Sequence, residues 1–259
     1  MWTRAMLKER AKAVLKGSYW KAFLVGLVMV VAGGQSGGGI SLNFGGLPFG
    51  GGDNQGRGGF DWSSEGTSGL GGGVEFLALF IAIFAVIFLV VLAFVLAYRI
   101  FLGFPIEVSS RQYYKQASLG DVNLNYLGHV FNRIAYWPII KAMLLRGVYT
   151  FLWTLLLVIP GIVKSYAYSM VPYLLADNPH IGTSRAIELS ERMCKGQKWR
   201  MFVLDLSFIG WFLLGLLACG VGVLFVQPYV NQTKAELYLT LRQDALEQGM
   251  TTPEELRLA

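Results

Sequence analysis

The longest apolar stretch of the chain runs from Val74 to Leu102, and Glu75 and Arg99 near its ends are its only charged residues. About 20 residues of α-helix cross the hydrocarbon core of a bilayer, so this stretch is long enough to span a membrane. The composition agrees, since 54% of the 259 residues are hydrophobic and only 15% are charged, whereas soluble domains carry about 25% charged residues. The sequence therefore predicts an all-α integral membrane protein.

A short motif, a Trp next to basic residues, stands at the start of three apolar stretches. Its two closest copies read Lys-Gly-Ser-Tyr-Trp-Lys at 16–21 and Lys-Gly-Gln-Lys-Trp-Arg at 195–200, and a looser copy ends at Trp137. Lysine and arginine stay with lipid headgroups while the indole ring settles at the membrane interface. We therefore predict that the following residues anchor the chain at the interface: Lys16, Trp20, Lys21, Trp137, Lys195, Trp199 and Arg200.

The apolar segments fit a single membrane domain, residues 1–259, with about six transmembrane helices in three hairpins. The fourth segment is short, since its 15 residues reach about 22 Å as a helix, and the sixth contains several polar residues. The alternative is five spans, with 201–226 as one long tilted helix; it would place Lys234 and Arg242 outside the cell, and we favour six. The six predicted spans are 18–34, 74–102, 138–158, 162–176, 200–219 and 221–241.

Each hairpin is preceded by a segment with the pattern of an amphipathic cytoplasmic helix. In residues 1–17, cations four residues apart share one helical face, and this helix either lies in the headgroup layer or presents a positive face to the cytoplasm. A second helix is predicted after a cap at Asp121, with apolar residues from Leu124 to Ile134. A third is predicted after a cap at Thr183 or Ser184, with an i,i+4 pair between Glu188 and Arg192.

The charge distribution predicts the topology. Basic residues flank the predicted cytoplasmic segments, whereas residues 35–73, a segment rich in glycine, are mildly acidic and are expected outside the cell. Tight turns are predicted at Ile159–Gly161 and at Gly220–Gly222. The first apolar segment follows a basic region too long for a signal peptide, so we expect a retained helix. Both termini, including the polar tail 242–259, are then cytoplasmic.

The sequence shows no cluster of residues typical of a catalytic or metal site. His129 and His180 are the only histidines, and neither has a carboxylate or cysteine at metal-ligand spacing. Cys194 and Cys219 are expected to be free thiols. The net charge of +6 comes from cations beside the membrane segments, which argues against nucleic-acid binding. We therefore expect no catalytic residues, no cofactor, no metal and no enzymatic activity.

Three of the charged residues inside predicted spans are candidate functional or bracing charges. A charge at the bilayer centre costs about 2.5–3.5 kcal/mol on insertion scales, so each needs a physical reason. Asp205 lies roughly 8–9 Å past Trp199 and Arg146 about 13 Å past Trp137, at 1.5 Å per residue, while Lys164 follows the turn at 159–161. We predict that Asp205 pairs with Arg146. The pair would either brace helix packing or serve transport.

The chain resembles a bacterial membrane-protein family known as domain of unknown function 975. The resemblance covers almost the whole chain except the glycine-rich segment, and the family has no assigned activity. It implies a multi-pass protein of the bacterial cell membrane, mostly of Gram-positive type. A more distant similarity is to the non-catalytic membrane portion of some glycerophosphodiester phosphodiesterases. The resemblance rests on the Met-Trp-Thr-Arg start, the motif at 16–21, Ile-Pro-Gly-Ile at 159–162, and the segments 165–173, 204–211, 228–229 and 235–238.

The functional hypothesis that follows is a non-enzymatic scaffold or accessory protein. Its basic helices would engage the anionic headgroups of the lipid bilayer, and it would bind a membrane-protein partner or a second copy of itself. The alternative is a small transporter or channel that uses the region of Asp205 and Arg146.

Overall fold

The computed structural model describes residues 2–32, 70–131, 133–217 and 222–258. The chain divides into two compact units, residues 1–41 with 98–259 and residues 42–97. Every regular element in the described ranges is helical, which confirms the all-α fold class. The helices are α1 (Arg4–Val31), α2 (Leu70–Tyr98), α3 (Phe104–Ser118), α4 (Arg133–Leu156), α5 (Val158–Ala167), α6 (Val171–Asp177), α7 (Thr183–Met193), α8 (Lys198–Leu206), α9 (Ile209–Leu217) and α10 (Gly222–Glu247), and a π-helical turn (Arg99–Gly103) precedes α3.

Four helical stretches within the described residues are long and apolar enough to cross a membrane. This number is lower than the six spans predicted from the sequence. The predicted fourth span is divided between α5 and α6, and the predicted sixth span forms most of α10, which carries several polar residues. The four candidate spans are Arg4–Val31, Ala78–Ser118, Ile134–Leu156 and Lys198–Leu217.

Helix α1 is continuous from the basic N-terminal segment into the first apolar segment. The Thr3 side chain caps it by accepting a hydrogen bond from the Met6 backbone N–H at 3.3 Å. The structure therefore differs from the predicted separate helix at 1–17 followed by a span at 18–34. The reason is that one stripe of small and apolar residues at helical spacing continues through the whole segment, so a single face packs against the rest of the unit. The buried stripe is Leu7, Ala11, Leu15, Ser18, Ala22, Val25, Gly26 and Met29.

The predicted amphipathic helix at 124–134 is wrong. The structure has two short 3₁₀ turns instead, Leu124–Leu127 and His129–Phe131. The Asn123 side chain accepts a hydrogen bond from the Asn125 backbone N–H at 3.0 Å, a local bond that competes with helix formation. The predicted cap, Asp121, instead accepts a hydrogen bond from the Tyr126 hydroxyl.

The amphipathic helix predicted after residue 182 is present as α7. Ala186, Leu189 and Met193 on one side are buried, and the predicted pair forms on the other side, with Arg192 Nη2 2.5 Å from Glu188 Oε1. The predicted cap at Thr183 or Ser184 is wrong, because Gly182, with φ of 91°, occupies the cap position.

The chain reverses direction between α4 and α5 at Leu157, whose backbone is extended with φ of −158° and ψ of 139°. The predicted turn at Ile159–Gly161 is therefore displaced, because these residues lie in α5, whose first turn accommodates Pro160. At Gly161 a Cβ atom would lie 2.7 Å from the Thr154 Cα, so a glycine is needed where the two helices meet. The predicted span at 200–219 corresponds to the candidate span Lys198–Leu217, which α8 and α9 form with a break at Ser207 and Phe208.

Helix α10 lies at the centre of the larger unit and packs against α1, α3 and α9. Many of its buried residues are polar, which is unusual for a core helix. It extends to Glu247, into the tail predicted from residue 242, and residues 248–258 contain no regular helix but bury Thr251 and Leu256. The buried polar residues of α10 are Gln227, Asn231, Gln232, Thr233, Lys234 and Glu236.

Three predictions concern residues that lie wholly or mostly outside the described ranges. Nearly all of the glycine-rich segment at 35–73 lies there, as do Cys219 and most of the predicted turn at Gly220–Gly222.

Candidate functional site: a buried ionic network

Helix α3 carries three charged residues four positions apart, Glu107, Arg111 and Lys115, so they share one helical face. Their exposed fractions are 1%, 1% and 3%. Charged side chains are almost never this buried unless they are paired. The face that they form lies against α6 and α10, and the partners come from there and from α4.

Arg111 connects three helices. Its Nη1 donates to Asn231 Oδ1 on α10 at 3.0 Å and to the Tyr173 hydroxyl on α6 at 3.3 Å. The guanidinium carbon also lies 5.2 Å from the centre of the Tyr173 ring, within the range of a cation–π interaction. Tyr173 in turn stacks on Tyr238 of α10, with 4.9 Å between ring centres.

Asp177, the last residue of α6, bonds to three other side chains. It forms an ion pair with Lys115 of α3 and accepts a hydrogen bond from the Tyr238 hydroxyl. Its Oδ2 also lies 3.2 Å from Arg242 Nη1 on α10. The Asp177 side chain is only 1% exposed, so one buried carboxylate holds three helices together through two cations and a phenol.

Asp205, one of the three charges singled out from the sequence, lies near the end of α8. Its Oδ1 is 2.9 Å from Lys234 Nζ on α10, and its Oδ2 accepts a hydrogen bond from the Tyr166 hydroxyl at 3.0 Å. Both charged side chains are 10% exposed. The pair therefore joins α8 to α10, and the hydrogen bond from Tyr166 links α5 to them.

The predicted pairing of Asp205 with Arg146 is wrong. Arg146 on α4 instead places Nη1 3.4 Å from Glu107 Oε1 on α3. The third candidate charge, Lys164 on α5, lies 2.6 Å from Glu191 Oε1 on α7 and 5.3 Å from the centre of the Trp153 ring. Each of the three candidate charges is thus paired, but with an acid or base that the sequence did not identify as its partner.

Sequence reasoning missed most of this network. It identified only Arg146, Asp205 and Lys164, which fall in or beside apolar segments. The residues on α3 carried a usable signal, since three charges four positions apart form one face, but they lie in what looked like a cytoplasmic connection. The missed charged residues are Glu107, Arg111, Lys115, Asp177, Lys234 and Arg242.

A small cavity of about 20 Å³ lies beside the Asp205–Lys234 pair. Tyr166, Tyr173 and Met201 contribute to its wall. A cavity needs roughly 10–15 Å³ to hold one water molecule, so this one has room for about one. The site can therefore hydrate an ion pair, but in this conformation it cannot hold a larger solute.

The predicted interface anchors are at the surface, with one exception. The exposed fractions of Trp20, Trp137 and Trp199 are 69%, 54% and 73%. Such exposure of large indole rings is typical of a membrane interface. Lys16, Lys21 and Lys195 are also exposed. Arg200 differs, because it donates a hydrogen bond to the Trp2 carbonyl and its guanidinium carbon lies 4.5 Å from the centre of the Trp2 ring.

No group of three metal-ligating side chains occurs in the part of the chain that the structure describes. Cys194, expected to be a free thiol, is free and fully buried. Burial raises the pKa of the Cys194 thiol to about 12, so the thiolate, the reactive form, is scarce at neutral pH.

We expect Cys194 to resist alkylation in the folded protein. In a Cys219→Ser variant, which leaves one thiol, maleimide should label the chain at neutral pH only after denaturation by SDS. Mass spectrometry of the intact chain measures this directly. Rapid labelling without denaturant would mean that Cys194 is accessible, contrary to its burial.

Comparison with known proteins adds one match. No curated protein and no solved structure matches the chain. A family profile, described as Protein of unknown function (DUF975), matches residues 74–245. The matched range begins after α1 and ends near the end of α10, so it includes every residue of the ionic network. Because it covers more than half of the sequence, the chain belongs to the family of proteins of unknown function DUF975.

Proposed function

We propose that this chain is a non-enzymatic scaffold or accessory protein of the membrane, which engages anionic lipid headgroups through α1 and binds a membrane-protein partner or a second copy of itself. One observation carries the proposal. Each of the three candidate charges is held by an opposite charge on another helix: Arg146 by Glu107, Lys164 by Glu191 and Asp205 by Lys234. Charges that are paired in this way hold the helices in fixed positions relative to one another.

The same observation argues against the alternative of a small transporter or channel. Breaking a buried ion pair by removing one partner typically costs about 3–5 kcal/mol, so a transport cycle that frees Asp205 or Arg146 would need a large compensating interaction. The space beside Asp205 is about 20 Å³, which admits a water molecule but no organic solute. Both facts favour a role of these charges in stabilising helix packing over a role in transport.

The surface of α1 supports the engagement of lipid. Arg4, Lys12, Lys16 and Lys21 are exposed and lie outside the buried stripe. Each cation near an anionic membrane surface contributes about 1 kcal/mol of attraction. Lys8 is half-buried, with its Nζ 4.4 Å from the centre of the buried Phe208 ring, and the exposed Lys12 places its Nζ 5.9 Å from the centre of the Tyr229 ring.

The proposed setting is the bacterial cell membrane, with both termini in the cytoplasm and six crossings in three hairpins. Two chain reversals support this topology. The α4–α5 reversal is lined by exposed apolar residues, including Leu155, Leu157 and Ile159. At the α9–α10 reversal, a Cβ on Gly215 would lie 2.7 Å from the Val223 backbone nitrogen, so the two helices approach closely.

The experiment neutralises two exposed cations of α1. We expect the Lys12→Gln/Lys16→Gln variant to retain fewer anionic lipids, with the preference for phosphatidylglycerol over phosphatidylcholine falling by roughly thirtyfold if each cation contributes about 1 kcal/mol. Native mass spectrometry of protein extracted from mixed vesicles measures the ratio of the two retained lipids.

The matched control is Arg192→Gln/Arg257→Gln, which removes two exposed cations from α7 and the C-terminal segment. It should leave the lipid ratio close to that of the unmodified chain. An equal loss of preference in both variants would show that net charge, rather than the surface of α1, attracts the lipid, and would contradict this part of the proposal.

A further inference from the structure

Two lysines of α1 lie over aromatic rings close to the break between α8 and α9. The Lys8 Nζ lies 4.4 Å from the centre of the Phe208 ring at the break, and the Lys12 Nζ lies 5.9 Å from the centre of the Tyr229 ring of α10. The two rings pack edge to face, with 5.4 Å between their centres. Arg4 precedes Lys8 by four positions, so Arg4, Lys8 and Lys12 share one face of α1 and form a cation row.

The cation row has no acidic partner in the part of the chain that the structure describes. None of the described ion pairs includes one of its three members. Lys8 is half-buried, and its Nζ lies 3.5 Å from the Ser207 carbonyl oxygen, a long hydrogen bond. The carboxylate of Asp205, near the end of α8, is already bound by Lys234. Because a partly desolvated cation needs a compensating charge, the cation row is placed to receive an anion from outside the chain.

The surface next to the cation row is apolar. Phe208 leads into α9, which belongs to the candidate membrane span Lys198–Leu217. Trp211 and Leu214, three and six residues further along, are exposed. A phospholipid carries its phosphate directly above apolar chains, and basic surfaces between membrane helices at the cytoplasmic side suit such headgroups. An anion with an acyl chain therefore fits this surface better than a soluble anion does.

We propose that the cation row and the Phe208 and Tyr229 rings bind one phospholipid that carries two phosphates, such as cardiolipin. One phosphate would lie against Lys8 and Lys12, and the other toward Arg4, whose guanidinium matches the geometry of a phosphate. Three cations without an acid are neutralised better by two phosphates than by one. The inference rests on the proposed engagement of lipid by α1, and it adds a defined site and a class of headgroup.

The test is a lipid titration of the full chain in detergent, followed by native mass spectrometry. The probes are cardiolipin, phosphatidylglycerol at twice the molar concentration, which matches the phosphate concentration, and phosphatidylcholine. The first cardiolipin should bind at least about fivefold more tightly than the first phosphatidylglycerol, because its second phosphate meets a further cation. Phosphatidylglycerol should in turn bind more tightly than phosphatidylcholine, as the proposed function requires.

Variants of α1 assign the site. Lys8→Gln should weaken binding of the first cardiolipin by at least about fivefold, whereas Lys8→Arg, which keeps the charge, should retain most of the affinity. The matched control is Arg10→Gln, which removes an exposed cation from another face of the same helix. It should leave the affinity for the first cardiolipin within about twofold of that of the unmodified chain.

The outcomes separate the site from the proposed function. Equal affinity for cardiolipin and phosphatidylglycerol at matched phosphate, or equal weakening by Lys8→Gln and Arg10→Gln, would overturn the site and leave the engagement of lipid by α1 intact. Displacement of cardiolipin by inorganic phosphate at the same phosphate concentration would assign the cation row to a soluble anion and would also overturn the site. Equal affinity for phosphatidylglycerol and phosphatidylcholine would contradict the proposed function itself, and the site with it.

Discussion

Replacing Asp177 with alanine is expected to lower the free energy of unfolding by about 3–5 kcal/mol, the usual cost of removing one partner of a buried ion pair. The variant would leave Lys115 and Arg242 buried on two helices without their shared carboxylate. It would also remove the acceptor of the Tyr238 hydroxyl. Thermal unfolding of the detergent-solubilised protein, followed by tryptophan fluorescence, measures the effect as a lower melting temperature.

The matched control is Asp121→Ala. Asp121 is exposed and its described partner is the Tyr126 hydroxyl, so its loss should cost no more than about 1 kcal/mol. Melting temperatures that fall equally in both variants would contradict the account, since they would show that the buried network contributes no more than a surface hydrogen bond.

Lys234→Met and Asp205→Leu are each expected to destabilise the protein by about 3–5 kcal/mol, since each leaves the other charge buried and unpaired. The double variant should recover most of that loss, because replacing a whole buried pair with apolar residues is often neutral. The double-mutant cycle, measured by thermal unfolding, isolates the energy of the pair.

Additive losses in the double variant would contradict this prediction. They would mean that Asp205 and Lys234 stabilise the fold through separate partners, despite the 2.9 Å between their charged atoms. Lys12→Met, which removes an exposed cation from α1, serves as the control for the lysine and should change stability by no more than about 0.5 kcal/mol.

Sequence reasoning predicted helix type best where the pattern was long or strongly periodic. The apolar stretch around α2 and the amphipathic α7 both followed from spacing alone. It failed at 124–134, where helical periodicity was present but Asn123 and Gly128 favour short turns. It also divided α1 into two elements. The cations in the N-terminal part suggested a separate amphipathic helix, although one apolar stripe continues from there into the membrane segment.

The pairing of charges could not be predicted for a physical reason. Depth along a helix placed Asp205 and Arg146 at similar levels, but an ion pair also needs the two side chains to point toward each other from neighbouring helices. Arg146 faces Glu107 of α3 and Asp205 faces Lys234 of α10. Which ion pairs form depends on how the helices pack. In the sequence, Lys234 was one of several polar residues that weakened the predicted sixth span, and it was not identified as a partner of Asp205.

The polar residues in α10 also show that a sequence does not reveal which side chains become partners in the folded protein. Asn231 and Lys234 made the sixth predicted span look weak, and the structure explains why they are there, since they face Arg111 and Asp205 in the core. A single sequence shows the polar residues but not the helices that satisfy them. The ionic network therefore became visible only when α3, α6, α8 and α10 were placed together.

Native mass spectrometry of the protein extracted gently from its own membrane tests the central claim most directly. A braced scaffold that engages lipid and a partner should retain anionic phospholipid together with a stoichiometric second protein or a second copy of the chain. The identity of a second protein would also name the process that the scaffold serves. A monomer that carries neither anionic lipid nor a protein partner would contradict the account.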